Sequence, residues 1–364
     1  MTHNLSSPAT VIANIPGLLG FYPDESLVVM TFEPSKATAN TFDLDYIARI
    51  DLDDEAGRHA AFSLIGERGP ALVWVFLVSE DHRSDSFAAL VDTITTDAHE
   101  CGVTIDAGWS LGPIATGAAY RLVIASDAVA AHAPVQQGYV SDIATAYSTR
   151  AYEESGETVY ASRAAVFNNF AYGNANNHQS EVRHRHIEAD ANELARSIRH
   201  GTGYYAAVEQ FEDLIVAITI DGDRRHTVGL NSIMGSKRIL PALAVFFGAK
   251  TPRDLVMTFI PTYPEAVRDI SLAVARSYHG FIRENALCIY ALAMIQLGAV
   301  HMSVPAVRVA LSENPGHQLA DILSQGFFAG LYSQLLASCL EGAMGLQQNS
   351  LKTRARQREL KLAS

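Results

Sequence analysis

Residues 42–52, FDLDYIARIDL, decide the fold class. Apart from Ile47, apolar side chains fill every second position from Phe42 to Leu52, and acidic residues and Arg49 fill the positions between. This period of two predicts a strand with one face in the core and the other in water. Strands of purely parallel sheets are covered on both faces, so the segment predicts a mixed sheet.

Continuous apolar runs on either side of this segment predict strands that are covered on both faces. LVVMTF at residues 27–32 is one of them, and ALVWVFLV at residues 71–78 is the best candidate for a central strand. The other elements expected in the front half are helices over residues 55–68 and 84–101 and strands over residues 103–109 and 118–125. Strands that alternate with amphipathic helices are typical of a layered α/β domain.

Strand signals almost vanish after about residue 130. Helices are expected instead from Gly138 to Val166 and over Ile218–Ile220, where a short strand is the alternative. Prolines punctuate the helices beyond Gly201. We therefore expect an N-terminal mixed-sheet α/β domain and a C-terminal all-helical domain. The predicted boundaries are 1–166 for the α/β domain, 167–200 for a linker and polar helix, 201–350 for the helical domain and 351–364 for a basic tail.

Charge and cysteine content limit the class of protein. The 364 residues carry 27 Lys and Arg against 39 Asp and Glu, a net charge of −12. This balance lacks the positive field that nucleic acid or an anionic membrane requires, so neither is an expected partner. The three cysteines form no CxxC pair, and neither a signal peptide nor an apolar run of about 20 residues is present. We expect a soluble, cytoplasmic protein with reduced thiols.

The front of the chain has a family resemblance. PGLLGFYPDESLVV at residues 16–29 resembles the opening of an actinobacterial family known as domain of unknown function 4192, which has an LLGF tetrapeptide, a proline and an SLV strand. ARIDL at residues 48–52, the segment from Gly156 to Arg163 and VRD at residues 267–269 are similar to further family segments. The chain departs from the family at Ile295-Gln296, where a tryptophan-arginine pair is frequent. The resemblance spans about residues 16–330 and implies an architecture and a bacterial cytosolic setting, without an assigned activity.

One helix carries residue types that can bind metal. Glu181, His184 and Glu188 share a helical face, and carboxylate and imidazole together can hold zinc or iron. A second Glu-x-x-His is missing, and arginines between these residues would repel a cation. We expect a solvated charged helix and no metal site.

Cofactor and nucleophile motifs are incomplete throughout the sequence. MGSK at residues 234–237 has serine before lysine, the reverse of a phosphate-binding loop, and no G-x-G-x-x-G opens a helix. The DGD at residues 221–223 is followed by Arg225 at the third calcium-ligand position. No G-x-S-x-G elbow surrounds Ser26 or Ser162. No cofactor is expected.

Polar residues at the strand ends form the candidate ligand-binding site. The short connection over residues 33–41 favours antiparallel pairing, which would place Ser26 beside Asp51 at one sheet edge. Glu25 would then either pair with Arg49 or leave Arg49 to bind a carboxylate or phosphate. The candidate residues are Ser26, Arg49, Asp51, Ser162 and Arg163.

The leading functional hypothesis is a non-catalytic ligand-binding or protein-interaction protein. The expected partner is a small anionic ligand or another protein, a second copy of the chain included. The alternative is a hydrolase or transferase that acts on a small anionic substrate at the strand ends of the N-terminal domain. A scaffold without any ligand is a third hypothesis. A pocket around Arg49 with perturbed carboxylates would favour the enzyme, and a flat apolar patch would favour the interaction protein.

Overall fold

The computed structural model describes residues 7–39, 41–127, 135–154, 159–173, 178–201, 203–220 and 223–363. The chain divides into two compact units, Met1–Val166 and Phe167–Ser364. Each unit has its own set of secondary-structure elements.

The first unit is a six-stranded mixed sheet with helices. Its elements in chain order are α1 (Pro8–Leu19), β1 (Ser26–Pro34), β2 (Phe42–Asp51), α2 (Glu55–Arg68), β3 (Leu72–Val78), α3 (Asp85–Glu100), β4 (Ala107–Leu111), β5 (Ala119–Ala125), β6 (Gln137–Tyr139), α4 (Tyr147–Glu154) and α5 (Arg163–Asn168), the last of which continues into the second unit. The strand order is β2-β1-β3-β4-β5-β6. Only β3 and β4 are parallel neighbours, and the other neighbouring strands are antiparallel. The predicted mixed sheet is confirmed.

This topology brings several strand ends to one side of the sheet. Since β1 runs antiparallel to both β2 and β3, the strands β2, β3 and β4 all point the same way. Ser26 at the start of β1 pairs with Asp51 and with Val78, and Val78 pairs with Leu111. We call this side, marked by Ser26, Asp51, Val78 and Leu111, the carboxyl-end edge. Ligands of open α/β sheets usually bind at such an edge.

Both faces of the central strands are buried, as their continuous apolar sequences predict. Helix α1 covers one face, where Ile12 and Ile15 pack in the same cluster as Trp109. Helices α2 and α3 cover the other face, where Phe62 and Phe87 pack with the inner residues of β1 and β3. Helix α2 begins at an Asp54 cap, and α3 begins at a Ser84 cap.

The prediction of a helix from Gly138 to Val166 is wrong for its first residues. Gln137–Tyr139 pairs with β5 as an edge strand. The Tyr120 hydroxyl lies 2.5 Å from where a Cβ on Gly138 would be, so a larger residue at this position would require Tyr120 to move. Three residues are too few for an alternating pattern to be detected. Gly156 lies outside the described residues.

The second unit consists mainly of helices. Its elements are α6 (His178–Arg199), α7 (Tyr204–Ile218), β7 (Thr219–Ile220), β8 (Asp223–Thr227), α8 (Leu230–Gly235), α9 (Ile239–Val245), α10 (Lys250–Met257), α11 (Pro264–Ser277), α12 (Gly280–Gln296), α13 (Val300–Glu313), α14 (Gln318–Phe328) and α15 (Tyr332–Ala363). The helix expected over Ile218–Ile220 is wrong, because α7 ends at Ile218 and the next two residues pair with β8. A strand of two residues is too short for an alternation of apolar and polar residues to be detected in the sequence.

Helix α12 forms the centre of this unit. It packs between α11 and α13 and is buried from Ile282 to Ile295. Phe170, within the predicted linker, is fully buried and contacts Tyr290 of α12 edge to face. In the part of the chain that the structure describes, no helix has both the length and the apolarity to cross a membrane.

Candidate functional site

Four of the five candidate residues meet at the carboxyl-end edge. Arg49 Nε donates to Ser26 Oγ at 2.7 Å, and Arg49 Nη2 donates to the Asp24 carbonyl at 3.0 Å. Arg49 Nη1 pairs with one carboxylate oxygen of Asp51. The other oxygen accepts from Arg163 Nη1 at 2.9 Å. Asp51 therefore bridges two guanidinium groups, and we call the three residues the Arg49–Asp51–Arg163 cluster.

The strand pairing explains why these side chains meet. β1 and β2 are antiparallel, as the short connection predicts, and Ser26 stands directly opposite Asp51. Arg49 and Asp51 are two residues apart on β2, so both side chains lie on the same face of the strand. The ion pair between them joins two neighbours on this face.

Arg163 comes from a distant part of the chain. The Tyr22 N–H donates to the Tyr160 carbonyl at 3.0 Å, and the Tyr160 N–H donates to the Gly20 carbonyl at 2.9 Å. These bonds fix the segment before α5 against the segment before β1. Ser162 Oγ accepts from the Ala165 N–H at 3.2 Å, which stabilises the first turn of α5. Ser162 thus supports the helix on which Arg163 lies.

Burial separates the residues of the site into inner and outer groups. Ser26 is fully buried, and the Arg49 side chain is only 10% exposed. The side chains of Arg163 and Asp51 are 34% and 42% exposed. The Ser26 hydroxyl accepts from Arg49 and donates to the Asp24 carbonyl, so it is not placed to act as a nucleophile. The surface that a ligand can reach is that of Arg163 and Asp51.

The charges of the cluster keep Asp51 ionised. Burial by itself would raise the pKa of Asp51, but the hydrogen bond from Arg49 and the charges of Arg49 and Arg163 outweigh it and lower this pKa. Burial lowers the pKa of Arg49, and the hydrogen bond to Asp51 opposes this effect. An ionised Asp51 held by two arginines is poorly suited to act as a general acid at neutral pH.

Glu25 does not pair with Arg49, which was one of the two expected arrangements. Its carboxylate accepts from Ser79 Oγ at 2.8 Å and from the Glu80 N–H at 2.9 Å, across the end of β3. Its φ is 39°, and it is the only residue other than glycine with a positive φ among the described residues. Such backbone strain persists where the surroundings hold it in place. Glu25 therefore links the start of β1 to the loop after β3.

Sequence reasoning missed the rest of this edge. His82 Nδ1 lies 3.0 Å from the Ser79 carbonyl, and Arg121 Nη2 donates to the His82 carbonyl at 2.9 Å. Arg121 Nε also donates to the fully buried Ser110 Oγ at 3.3 Å. These residues come from three loops and strands far apart in sequence, so no local motif could reveal them. They continue the polar lining of the carboxyl-end edge from β3 to β5.

A cysteine, an imidazole and an amide also meet inside the second unit. Cys288 Sγ lies 3.7 Å from His317 Nδ1, and His317 Nε2 lies 3.1 Å from Asn285 Oδ1. The order resembles a thiol-hydrolase triad, but His317 Nδ1 accepts the Ala320 N–H and all three residues are buried. Burial raises the pKa of Cys288 to about 12. The thiol stays protonated, so the arrangement is structural.

The histidine helix exposes Glu181, Arg183, Arg185 and His186, as expected, but not His184. His184 is only 6% exposed and stacks on His279 from the start of α12. Among the described residues, no group of three or more His, Cys, Asp or Glu is arranged to hold a metal ion. The side chain of His178 and the residues Asp221 and Gly222 of the calcium-like segment lie outside the described residues.

Comparison with known proteins supports the resemblance found at residues 16–29. The family model described as Domain of unknown function (DUF4192) matches residues 8–333, which is most of the chain. No curated protein and no solved structure matches the chain.

Proposed function

The chain belongs to the DUF4192 family, and we propose that it is a non-catalytic protein that binds a small anionic ligand at the Arg49–Asp51–Arg163 cluster. The observation that carries this proposal is that Asp51 joins a one-third exposed Arg163 to a buried Arg49. A guanidinium group is a planar fork that binds carboxylate or phosphate through two parallel hydrogen bonds. The ligand class is therefore a carboxylate or a phosphate.

Arg49 and Arg163 have different roles in this proposal. The three donor groups of Arg49 are committed to Ser26, Asp24 and Asp51, so Arg49 positions the Asp51 carboxylate. Asp51 then holds the Arg163 guanidinium at the edge of the sheet. A guanidinium that is already fixed loses less entropy when it binds a ligand. Arg163 is therefore the residue that contacts the anion.

The groups at the site favour binding over catalysis. Ser26 is buried and hydrogen-bonded on both sides, and the lowered pKa of Asp51 favours its ionised form. The alternative, a hydrolase or transferase, needs another nucleophile from the carboxyl-end edge. The two functions are distinguished by the fate of the bound anion, because a binding protein releases it unchanged.

The proposed setting is the cytoplasm of an actinobacterium. The similarity of residues 16–29 to actinobacterial family members supports the source, and the buried Cys288 thiol suits a reducing compartment. The net charge of −12 argues against nucleic acid and anionic membrane as partners. Another protein, or a second copy of this chain, remains the alternative partner.

The proposal is tested by thermal unfolding with inorganic phosphate or succinate as the probe. Both tryptophans, Trp74 and Trp109, lie in the first unit, so their emission reports the unit that holds the site. An anion at about 100 times its Kd should add about 2.7 kcal/mol of stability. We expect Arg163→Ala to abolish this gain.

Arg68→Ala is the matched control. Arg68 lies in the same unit with a 30% exposed side chain, and its contact with Asp45 is loose at 4.0 Å. It should keep the full stabilisation. An equal gain in the wild type and in Arg163→Ala would refute the site, and chemical conversion of the anion, followed by phosphorus or proton NMR, would replace binding with catalysis.

A further inference from the structure

Two stacked imidazoles join α6 to the junction between α11 and α12. The rings of His184 and His279 are almost parallel, at an interplanar angle of 7°, with their centroids 4.0 Å apart. Each imidazole faces a glutamate of α6. His184 Nε2 lies 3.4 Å from Glu188, and His279 Nε2 lies 3.1 Å from Glu181. The N-terminal half of α6 therefore rests on this junction through titratable groups.

The two histidines differ in their access to water. The His279 side chain is 39% exposed, whereas His184 is buried and its Nδ1 has no hydrogen-bond partner among the described residues. In neutral His184 that nitrogen can be the ring's unprotonated acceptor, because Nε2 can carry the proton toward Glu188. Protonation would turn Nδ1 into a buried donor without an acceptor. The electrostatic effect of His279 also disfavours the protonated form of His184.

Among the described residues, a small set of charged or titratable groups surrounds the pair. Glu181 and Glu188 come from α6 itself, and His279 and Tyr278 come from the α11–α12 junction. The ring of Tyr172 contacts the ring of His279. The positive charge of Arg183 interacts with Tyr278, and that of Arg283 interacts with Tyr172. Burial and His279 lower the pKa of His184, and the two glutamates oppose this effect without cancelling it.

We propose that Glu181, His184, Glu188 and His279 form a proton-operated latch that holds the N-terminal half of α6 at neutral pH and releases it on acidification. The direction of this pH dependence follows from the lowered pKa of His184. A histidine with a folded-state pKa below its ordinary 6.5 contributes stability above pH 6.5, and this stability is lost as the pH falls through the folded-state value. Release therefore begins below pH 6.5.

The C-terminal half of α6 should stay in place. Ala191 and Ala195 pack on Ala249 in a cluster that contains no titratable side chain. Acidification should therefore loosen α6 before about residue 190 and leave the part after it in place. This difference separates a local latch from general acid denaturation.

Hydrogen exchange of the full-length chain, measured by mass spectrometry at pH 7.5 and 5.5, tests the latch. Protection factors are corrected for the intrinsic exchange rate at each pH. We expect residues 181–190 to lose protection on acidification by up to about tenfold for each pH unit below the unfolded pKa, while residues 191–199 keep theirs. In His184→Gln, whose side chain does not titrate, this pH dependence should disappear.

Two further variants make the outcome decisive. His279→Gln keeps His184 but removes the second imidazole, so a weakened pH response is expected there. His99→Gln changes an exposed histidine of α3 in the first unit and should leave the response intact. Equal loss of protection along the whole of α6, or a His184→Gln variant that responds to pH like the wild type, would overturn the proposal.

Discussion

Replacing Asn285 by alanine should destabilise the second unit by about 3–9 kcal/mol. Asn285 is fully buried in α12, and its Oδ1 accepts from Arg253 Nη1 at 3.0 Å and lies 3.1 Å from His317 Nε2. Its Nδ2 donates to the Phe247 carbonyl at 2.7 Å. Alanine would leave three polar groups without this partner, and a buried polar group that loses its partner costs about 1–3 kcal/mol.

Urea unfolding gives the free energy directly. Far-UV circular dichroism follows the helices, which predominate in the second unit, and tryptophan emission follows the first unit because both tryptophans lie there. We expect the Asn285→Ala variant to unfold at lower urea by circular dichroism, with a smaller change in the tryptophan transition. The slope of the transition should stay the same if only stability changes.

Asn192→Ala is the matched control for this prediction. Asn192 also lies within a helix, but it is exposed, and its Nδ2 donates only to the Glu188 carbonyl of its own helix at 2.8 Å. Both substitutions exchange asparagine for alanine inside a helix, so the gain in helix propensity cancels between them. If the two variants differ by less than about 1 kcal/mol, the buried network does not stabilise the unit as reasoned.

Two further predictions concern stability. Acidification from pH 6.5 to 4 should lower the unfolding free energy of the second unit, because burial lowers the pKa of His317 to about 4, and the lost stability should approach about 3 kcal/mol. Urea unfolding of His317→Gln should show a flatter pH dependence, and an unchanged slope would contradict this assignment. In the first unit, Arg58 is buried and donates to Asp97 and to the Leu52 carbonyl, so Arg58→Ala should cost about 3 kcal/mol by tryptophan emission. The more exposed Arg68→Ala should cost less than about 1 kcal/mol, and an equal loss in both would disprove the role of burial.

The sequence predicted those parts of the fold that have a long local signal. Eleven alternating residues over 42–52 suffice to identify a strand with one polar face, and the nine-residue connection before it suffices to favour antiparallel pairing. The register of Ser26 opposite Asp51 follows from these two observations. The three residues of β6 and the two of β7 carry no comparable period, and tertiary pairing decides their conformation.

The geometry of the candidate site was predicted only where its residues are neighbours in the sheet, whereas Arg163 was named as a candidate without a predicted contact to Asp51. The meeting of Ser26, Arg49 and Asp51 follows from strand pairing, but the strained φ of Glu25 and its bond to Ser79 depend on a loop 54 residues away. The stacking of His184 on His279 likewise joins two helices that only the packed second unit brings together. Such contacts leave no trace in local composition, which is why the sequence did not predict the burial of His184.

The most direct test of the proposed function is an NMR titration of the arginine Nε–Hε resonances with inorganic phosphate and, separately, with succinate. We predict a saturable shift of the Arg163 resonance, a smaller shift of Arg49 through the shared Asp51 and no shift of Arg68. The same titration of Arg163→Ala should leave Arg49 unmoved. Saturable shifts confined to other arginines, or shifts of Arg163 and Arg68 that grow together without saturation, would contradict anion binding at this site.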